Sequence, residues 1–164
     1  MRRLILIRHA KSSWDNPVLS DFERPLNGRG RRSAHIIGDW LRDGAYLPDA
    51  AVVSAAERTG ETFRRLGFDI PATFTRRLYH ASATAMMDAL QAQSAANVMM
   101  VGHNPGIGDF AERLVVAPPE HPRFFDYPTC ATTIIDFDVP DWQAIGWKTG
   151  VAHAFVIPRE LENG

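Results

Sequence analysis

The sequence has little cysteine and no long hydrophobic run. Its single cysteine, Cys130, cannot form an internal disulfide, which favours a reducing compartment. The apolar runs fall short of the roughly 18 residues that a membrane span needs. The run that follows Met1-Arg2-Arg3 stops after four residues, below the roughly 7 to 15 of a secretory signal. We therefore expect a cytoplasmic protein with no membrane segment.

The charge is nearly balanced overall but unevenly placed. A net charge of −1 gives no support for binding nucleic acid or a membrane surface. Residues 1–65 hold 12 Lys and Arg against 8 Asp and Glu, whereas residues 66–164 hold 6 against 11. A site for an anion would therefore draw on the first part of the chain. With 164 residues and 45% hydrophobic residues, the composition is typical of a globular protein, and we expect one domain over residues 1–164.

Short apolar runs alternate with helical patterns along the chain, which predicts an α/β fold with crossover helices. Three runs are continuously apolar, as strands covered on both faces are: Leu4–Ile7, Ala51–Val53 and Val98–Val101. Two later runs, 132–137 and 151–157, also read as strands. We expect a three-layer α/β/α arrangement with a mostly parallel central sheet and flanking helices.

Four helices are predicted between these strands: 30–42, 55–66, 83–93 and 106–115. Ser54 and Glu57 have the spacing of a capping box, which predicts that the second helix follows its strand directly. Ser82 precedes the third helix, and Pro105 suits the start of the fourth. The proline-rich segment Pro118–Pro128 is expected to be a loop.

Polar residues with chemical potential follow the ends of the predicted strands. They are Arg8-His9, the segment Ser54–Arg58, and Gly102-His103-Asn104. In open α/β sheets, ligands bind beyond the carboxyl ends of the strands. Two histidines and two arginines, with no carboxylate among them, suit a dianionic phosphoryl group and suit a metal poorly. We therefore expect neither a metal nor a cofactor.

Four motifs, in this order, resemble the histidine phosphatase superfamily, which includes the phosphoglycerate mutases. They are Leu6-Ile7-Arg8-His9-Ala10-Lys11-Ser12, Arg24-Pro25-Leu26-Asn27-x-x-Gly30, Ser54-x-x-x-Arg58-Thr59-x-Glu61-Thr62 and Val101-Gly102-His103-Asn104-Pro105-Gly106. Ala10, where many members have glycine, and the segments 78–81 and 154–161 resemble the SixA-type phosphohistidine phosphatases within the superfamily. The resemblance implies a phosphoglycerate mutase-like fold.

The resemblance also implies roles for individual residues. His9 would be the nucleophile, Arg8 and Arg58 would hold the phosphate, and a protonated His103 would face it. A neutral imidazole is a competent nucleophile near neutral pH, which agrees with the role of His9. Four further candidates could contact the substrate: Lys11, Arg24, His80 and Asn104. For Lys11 and Arg24, a solvated surface role is an equal alternative.

The proton donor for the leaving group stays open. Larger members of the superfamily use a carboxylate from an insertion after the third strand, and the segment 76–82 offers none. Tyr79 and His80 are the remaining candidates. A phosphohistidine substrate needs such a donor less, because its leaving imidazole can be protonated in advance.

The expected function is metal-independent hydrolysis of phosphohistidine in proteins, through a phosphorylated His9. The expected partners are a phosphohistidine-bearing protein or a small phosphoester, and free phosphate, without nucleic acid or membrane. Three alternatives are a phosphatase of small phosphomonoesters, a mutase-like enzyme of the same superfamily and a noncatalytic phosphate-binding module. The presence of both His9 and His103 favours turnover, since simple anion capture needs only arginines and backbone donors.

Overall fold

A six-stranded sheet forms the centre of the computed structural model, which describes residues 1–162. Along the chain, the strands are β1 (Arg2–Arg8), β2 (Ala50–Ser54), β3 (Ala72–Thr75), β4 (Asn97–Gly102), β5 (Thr132–Phe137) and β6 (Val151–Val156). The order across the sheet is β3-β2-β4-β1-β5-β6. Neighbouring strands from β3 to β1 are parallel, and β5 is antiparallel to both β1 and β6. Because only β5 runs against the others, the prediction of a mostly parallel sheet is confirmed.

Helices cover both faces of the sheet. They are α1 (Gly28–Asp43), α2 (Glu57–Leu66), α3 (Ala83–Gln91) and α4 (Gly106–Leu114). Alternate side chains of β1 point to opposite faces, so Leu4 and Leu6 pack with α3 and α4, while Ile5 and Ile7 pack with α1 and α2. All four side chains are fully buried. The predicted α/β/α layering is therefore confirmed, and it explains why β1 is continuously apolar.

The start of α2 differs from the prediction. The helix begins at Glu57 rather than residue 55, and its N-cap residue, Ala56, provides no side-chain cap. The expected capping box is wrong because Ser54 is the last residue of β2 and its hydroxyl lies 2.7 Å from Nε2 of His103. A tertiary contact has replaced the local one. The third helix ends at Gln91, two residues before its predicted end.

Strand β3 was not predicted from the sequence. It has four residues and lies at the edge of the sheet, where its side chains are half-buried or exposed. An edge strand of this kind lacks the continuous apolar run that marked the central strands. It leads into the segment that carries Tyr79 and His80.

The loop predicted over Pro118–Pro128 contains no helix or strand. It returns the chain to the end of β1, where the backbone N–H of Cys130 donates to the carbonyl of His9 at 3.0 Å. The Cys130 side chain is fully buried. This contact fixes the loop beside His9.

The start of α1 is held against the loop that follows β1. A Cβ atom at Gly30 would lie 2.1 Å from the carbonyl oxygen of Lys11, so only glycine fits there. The side chain of Asn27 caps the helix by accepting from the N–H of Gly30 at 2.8 Å, and the Asn27 N–H donates to the Lys11 carbonyl at 3.0 Å. Helix and loop therefore form one rigid corner.

None of the helices within residues 1–162 combines the length and apolar character required to cross a bilayer.

Candidate active site

A cavity of about 280 Å³ lies beyond the carboxyl ends of β1, β2 and β4. Arg8 and Gly102 are neighbours in the parallel register of β1 and β4, so the residues that follow these strands meet. The eight residues predicted from the sequence all line this cavity: Arg8, His9, Lys11, Arg24, Arg58, His80, His103 and Asn104. Ser12, Trp14 and Thr129 complete the lining.

His9 is held as a neutral imidazole with a defined tautomer. Its Nδ1 lies 2.7 Å from the carbonyl oxygen of Ala10. A carbonyl only accepts, so Nδ1 carries the proton and Nε2 carries the lone pair. Burial, together with the positive charges of Arg8 and Arg58, lowers the pKa of His9 to about 3. The ring therefore presents an unprotonated nitrogen at neutral pH.

His103 faces His9 across the cavity. The two ring centroids are 5.2 Å apart, and the side chain of His103 is buried. Its Nε2 contacts the Ser54 hydroxyl, and burial with the neighbouring His9 and Arg58 lowers its pKa to about 3. Because burial disfavours the charged ring, His103 is neutral in the protein alone, and its protonation beside a bound phosphoryl group stays a prediction.

The arginines bring more donors to the cavity than the protein can accept. Arg8 donates from Nη1 to the carbonyl of Tyr127 at 3.2 Å, and burial followed by the charge of Arg58 lowers its pKa. Four buried nitrogen atoms have no hydrogen-bond partner among residues 1–162. They are Nε of Arg8, Arg24 and Arg58, and Nδ1 of His103. Buried donors left unpaired are costly, so the three guanidinium nitrogens in this group are suited to receive an anion.

A carboxylate, Asp21, lies beside these arginines and was missed by the sequence analysis. It accepts from Nη2 of Arg24 at 2.8 Å, from Nη2 of Arg58 at 3.0 Å and from the hydroxyl of Tyr79. Although burial opposes ionisation, the hydrogen bonds from Tyr79 and Arg24 and the charge of Arg58 hold the Asp21 pKa well below its usual range. The local signal was its position three residues before Arg24. The contact with Arg58, 37 residues away, depends on the fold.

Arg24 organises the mouth of the cavity. It is buried, donates to the Ser12 hydroxyl at 2.6 Å, and its guanidinium carbon lies 3.7 Å from the ring centre of Trp14. The surface alternative considered for Arg24 therefore does not hold. Lys11 is exposed, and its side chain makes no hydrogen bond within residues 1–162. Its interpretation as a solvated cation or as a substrate contact stays open.

Asn104 lines the cavity while its amide holds the neighbouring loop. Its Nδ2 donates to the carbonyls of Asp126 and Tyr127, each at 2.9 Å. Its Oδ1 accepts from the N–H of Gly108 at 3.1 Å. The side chain therefore positions the loop that also receives Arg8.

The two side chains considered as proton donors lie at the mouth. Burial, and then the hydrogen bond to Asp21, raise the pKa of Tyr79. Nε2 of His80 lies 3.9 Å from the Asp21 carboxylate, and its ring centroid is 6.2 Å from that of His103. Asp21 is thus deprotonated, and Tyr79 is a weaker acid than an ordinary tyrosine, so neither side chain is suited to donate a proton at the mouth of the cavity.

The cavity lining is dominated by basic and imidazole side chains. Residues 1–162 contain no group of three or more His, Cys, Asp or Glu side chains placed to hold a metal ion. Arginine forks and imidazoles instead surround a cavity at the carboxyl ends of parallel strands, where α/β proteins bind ligands. Fold and lining together define an α/β protein with a site for an anionic group.

Comparison with known proteins narrows this class to one family. The sequence profile of the histidine phosphatase superfamily (branch 1) matches residues 4–83. An uncharacterized protein of Mycobacterium tuberculosis is 35% identical over 101 residues, which cover 60% of this chain and 63% of that protein. The chain thus spans just under two thirds of that relative's length.

Two solved structures share the fold over nearly the whole chain. A candidate phosphohistidine phosphatase, SixA, of Agrobacterium tumefaciens is 27% identical with a TM-score of 0.78, covering 96% of this chain and 98% of its own. A candidate SixA of Nakamurella is 24% identical with a TM-score of 0.83, covering 96% of each chain. The chain is thus similar to the histidine phosphatase superfamily over residues 4–83, and its resemblance to SixA-type members is confirmed.

Proposed function

We propose that the protein hydrolyses phosphohistidine in other proteins through a covalent phosphohistidine on His9, without a metal ion. The observation that carries this proposal is the neutral His9 ring, with its Nε2 lone pair available. It shares the cavity lining with Arg8, Arg24 and Arg58, whose buried Nε donors have no partner among residues 1–162. The arginine side chains would bind a phosphoryl group, and the imidazole would attack it.

In the first step, Nε2 of His9 forms a bond to phosphorus while the N–P bond of the substrate breaks. The electron pair of that bond goes to the leaving nitrogen of the substrate imidazole. Arg8 and Arg58 would bind the nonbridging oxygens, where charge is concentrated during transfer. A bound dianion would also favour protonation of His103, whose unpaired Nδ1 could then donate to the same group.

The state of the mouth residues favours phosphohistidine over an alkyl phosphate. An alkoxide leaving group needs a proton donor whose pKa lies near the working pH. Asp21 is held ionised, and the pKa of Tyr79 is raised, so neither matches that need, and the exposed His80 is the one candidate donor left among these mouth residues. A substrate imidazole that carries a proton on its other nitrogen leaves as a neutral ring and needs no donor.

In the second step, water attacks the phosphorus of phosphorylated His9. An O–P bond forms, the N–P bond breaks, and its electron pair returns to Nε2, while the water loses a proton to solvent. Inorganic phosphate then leaves the arginines. The hydrogen bond from Nδ1 of His9 to the Ala10 carbonyl keeps the ring in the same orientation through both steps.

The mouth of the cavity supports a protein substrate. Lys11, Trp14 and His80 line it and are exposed, so a side chain on a protein surface could enter from solvent. We also propose a cytoplasmic location, which the single buried cysteine, Cys130, supports.

The proposal is tested by trapping the phosphoryl group. The protein is mixed with a phosphohistidine protein, quenched within milliseconds in alkali, digested and examined by mass spectrometry, with a parallel turnover assay in the presence of a chelator. We expect phosphate on His9, turnover insensitive to chelation, and a loss on the order of 10⁴-fold or more in His9→Ala.

A matched control is His35→Ala, which removes an exposed histidine on α1 outside the cavity and should leave turnover unchanged. Phosphate trapped on another residue, or release that stops when metals are chelated, would overturn the proposed mechanism. Tight phosphate binding without release would favour the noncatalytic module instead.

A further inference from the structure

A second pocket adjoins the candidate active site. Its volume is about 210 Å³, and Lys11 and Thr129 line both cavities. The two are therefore neighbours across one wall. The second pocket is not used by the proposed reaction, which takes place at His9.

The charges around this second pocket are mostly positive. Four cations line it: Lys11, Arg29, Arg123 and Arg159. Among residues 1–162, Glu162 is the single carboxylate in the lining. Arg123 and Arg159 are two of only six basic residues in the otherwise acidic segment 66–164. Together with Lys11 and Arg29 from the basic segment 1–65, they concentrate positive charge around this pocket.

Most of these cations have no partner in the described part of the chain. Arg123 pairs with the exposed carboxylate of Asp126 at 3.0 Å. Within residues 1–162, the side chains of Lys11, Arg29 and Arg159 form no hydrogen bond or ion pair. Like charges held together without a counter-charge raise the energy of the folded state. An incoming anion would relieve that repulsion.

A serine with little exposed surface also belongs to the lining of the pocket. Ser33 lines it, one helical turn after Arg29 on α1, and is only 7% exposed. Its hydroxyl makes no hydrogen bond within the described part of the chain. The hydroxyl oxygen is not one of the fully buried unpaired atoms, so it is open to the pocket and available to donate to a ligand oxygen.

The walls are fixed by the fold. The close approach of Gly30 to the Lys11 carbonyl sets Lys11 beside the first turn of α1. On the other side, Ile157 and Pro158 are buried and form an apolar wall. The cations are thus presented by a preformed pocket, which lowers the cost of binding.

We propose that this second pocket binds a carboxylate of the phosphorylated protein while its phosphohistidine occupies the cavity at His9. The inference rests on the proposed function and adds a substrate class, namely phosphohistidine proteins with an acidic side chain near the phosphorylated ring. Guanidinium groups recognise carboxylates with paired hydrogen bonds, and Ser33 could donate to the same group.

The size and position of the pocket favour an acidic side chain over a separate ligand. Small-molecule pockets begin at roughly 300 Å³, so a cavity of about 210 Å³ fits one charged group. Arg29 and Arg159 lie at its exposed rim, where the surface of a protein substrate would pass. A group reaching the pocket would be tethered to the phosphohistidine through its own chain.

The test compares phosphohistidine peptides that differ in one acidic residue. A single glutamate is placed in turn at each position on either side of the phosphohistidine, in an otherwise uncharged peptide. We expect kcat/KM to rise about tenfold for at least one position, as two or three charge-assisted hydrogen bonds allow. The gain should disappear in R29Q/R159Q and at high salt.

Neither Arg29 nor Arg159 lines the cavity at His9, so the uncharged peptide should be hydrolysed equally by this variant and the wild type. Arg77→Gln is the matched control, because Arg77 is exposed and lies near α3, at another pocket. It should keep the preference for the acidic peptide.

Four results would overturn the inference. If all peptides are hydrolysed at one rate, or if the preference survives in R29Q/R159Q, the second pocket has no such role and the proposed function stands. If no phosphohistidine peptide is hydrolysed, the proposed function fails and the inference fails with it. If R29Q/R159Q instead loses turnover of a small bisphosphate and keeps the acidic-peptide preference, the pocket serves a second phosphate.

Discussion

Two groups of buried charges lie one turn apart on α2, and they are arranged in opposite ways. Glu61 accepts hydrogen bonds from Nε of Arg31 at 2.8 Å, from Nε of Arg65 at 3.3 Å and from the N–H of Leu26 at 2.9 Å. Both of its oxygens therefore accept hydrogen bonds. Arg58, on the cavity side, leaves a buried Nε without a partner and shares one exposed carboxylate, Asp21, with other donors.

This contrast distinguishes Glu61, whose charge stabilises the fold, from Arg58, whose charge we expect to bind the substrate. Around Glu61, hydrogen-bond donors and acceptors are paired. These contacts connect α1 and α2 to each other and to the segment that precedes α1. Around Arg58, donors exceed acceptors and two histidines are kept neutral, which lowers stability unless an anion binds. Substitutions at the two positions should therefore affect different measurements.

The largest effect is expected for Arg58→Met, which keeps the length of the side chain and removes its charge. We predict a fall in kcat/KM of about 10³-fold, because phosphoryl transfer loses a charged donor. The free energy of unfolding should change by less than about 1 kcal/mol, since two hydrogen bonds to Asp21 are exchanged for relief of a buried, partly unpaired guanidinium. Steady-state kinetics and urea unfolding measure the two quantities.

Arg64→Met is the control for that variant. Arg64 lies on the same helix, is 56% exposed and pairs only with Glu57, so both quantities should stay near the wild-type values. A large loss of stability in Arg58→Met would place Arg58 with Glu61 as a structural residue.

The next largest effect is expected for Glu61→Gln, and in stability rather than activity. The amide leaves Arg31 and Arg65 without a counter-charge, so we predict a loss of about 2 kcal/mol in the free energy of unfolding. The kcat/KM of the folded enzyme should stay within a few-fold. If Glu61→Gln instead lost most of its kcat/KM while its free energy of unfolding stayed at the wild-type value, the distinction between the two groups would not hold.

The pH dependence of stability sharpens the same comparison. Burial opposes ionisation of Glu61, but its hydrogen bonds with Arg31 and Leu26 and the nearby charges lower its pKa below the ordinary 4.5. Between the lowered pKa of Glu61 in the folded protein and pH 4.5, the unfolded chain therefore binds more protons than the folded protein does. The stabilisation is present above pH 4.5 and is lost as the pH falls below it. In Glu61→Gln this part of the acid-induced loss should be missing, as urea midpoints measured across that range would show.

The smallest effect is expected for Asp21→Asn. Among residues 1–162, Asp21 is the one carboxylate that pairs with Arg24 and Arg58, and it would compete there with an incoming phosphate. Its neutralisation should tighten the binding of inorganic phosphate about fivefold, measured by calorimetry. Asp15→Asn, on the same loop, should leave it unchanged. Weaker binding in Asp21→Asn would mean that the carboxylate orders the arginines more than it competes.

The sequence predicts the centre of the fold better than its edge. Strands β1 and β4 are recognisable because both of their faces are buried, which demands continuous apolar residues. Strand β3 has no such demand at the edge of the sheet. The capping box at Ser54 failed for a related reason, since its hydroxyl is used by His103 from a distant strand. Local patterns are reliable where no tertiary contact competes for the same group.

The candidate site shows the same limit. Arg8, His9, Arg58 and His103 follow strand ends or a helix start, so their convergence follows from the topology of a parallel sheet. Asp21 lies in a loop whose path is set by contacts with distant residues, so its place beside Arg58 could not be read from spacing. The neutral state of His103 depends on burial, which only the packed structure gives.

The position of Cys130 has a consequence for how this protein meets oxidative stress. Peroxide and alkylating reagents act on exposed thiolates. This thiol has no contact with solvent, and burial raises its pKa to about 12, so it stays protonated and out of their reach. Such reagents inactivate phosphatases that depend on a cysteine nucleophile. The reaction proposed for His9, at the end of β1, should continue in their presence.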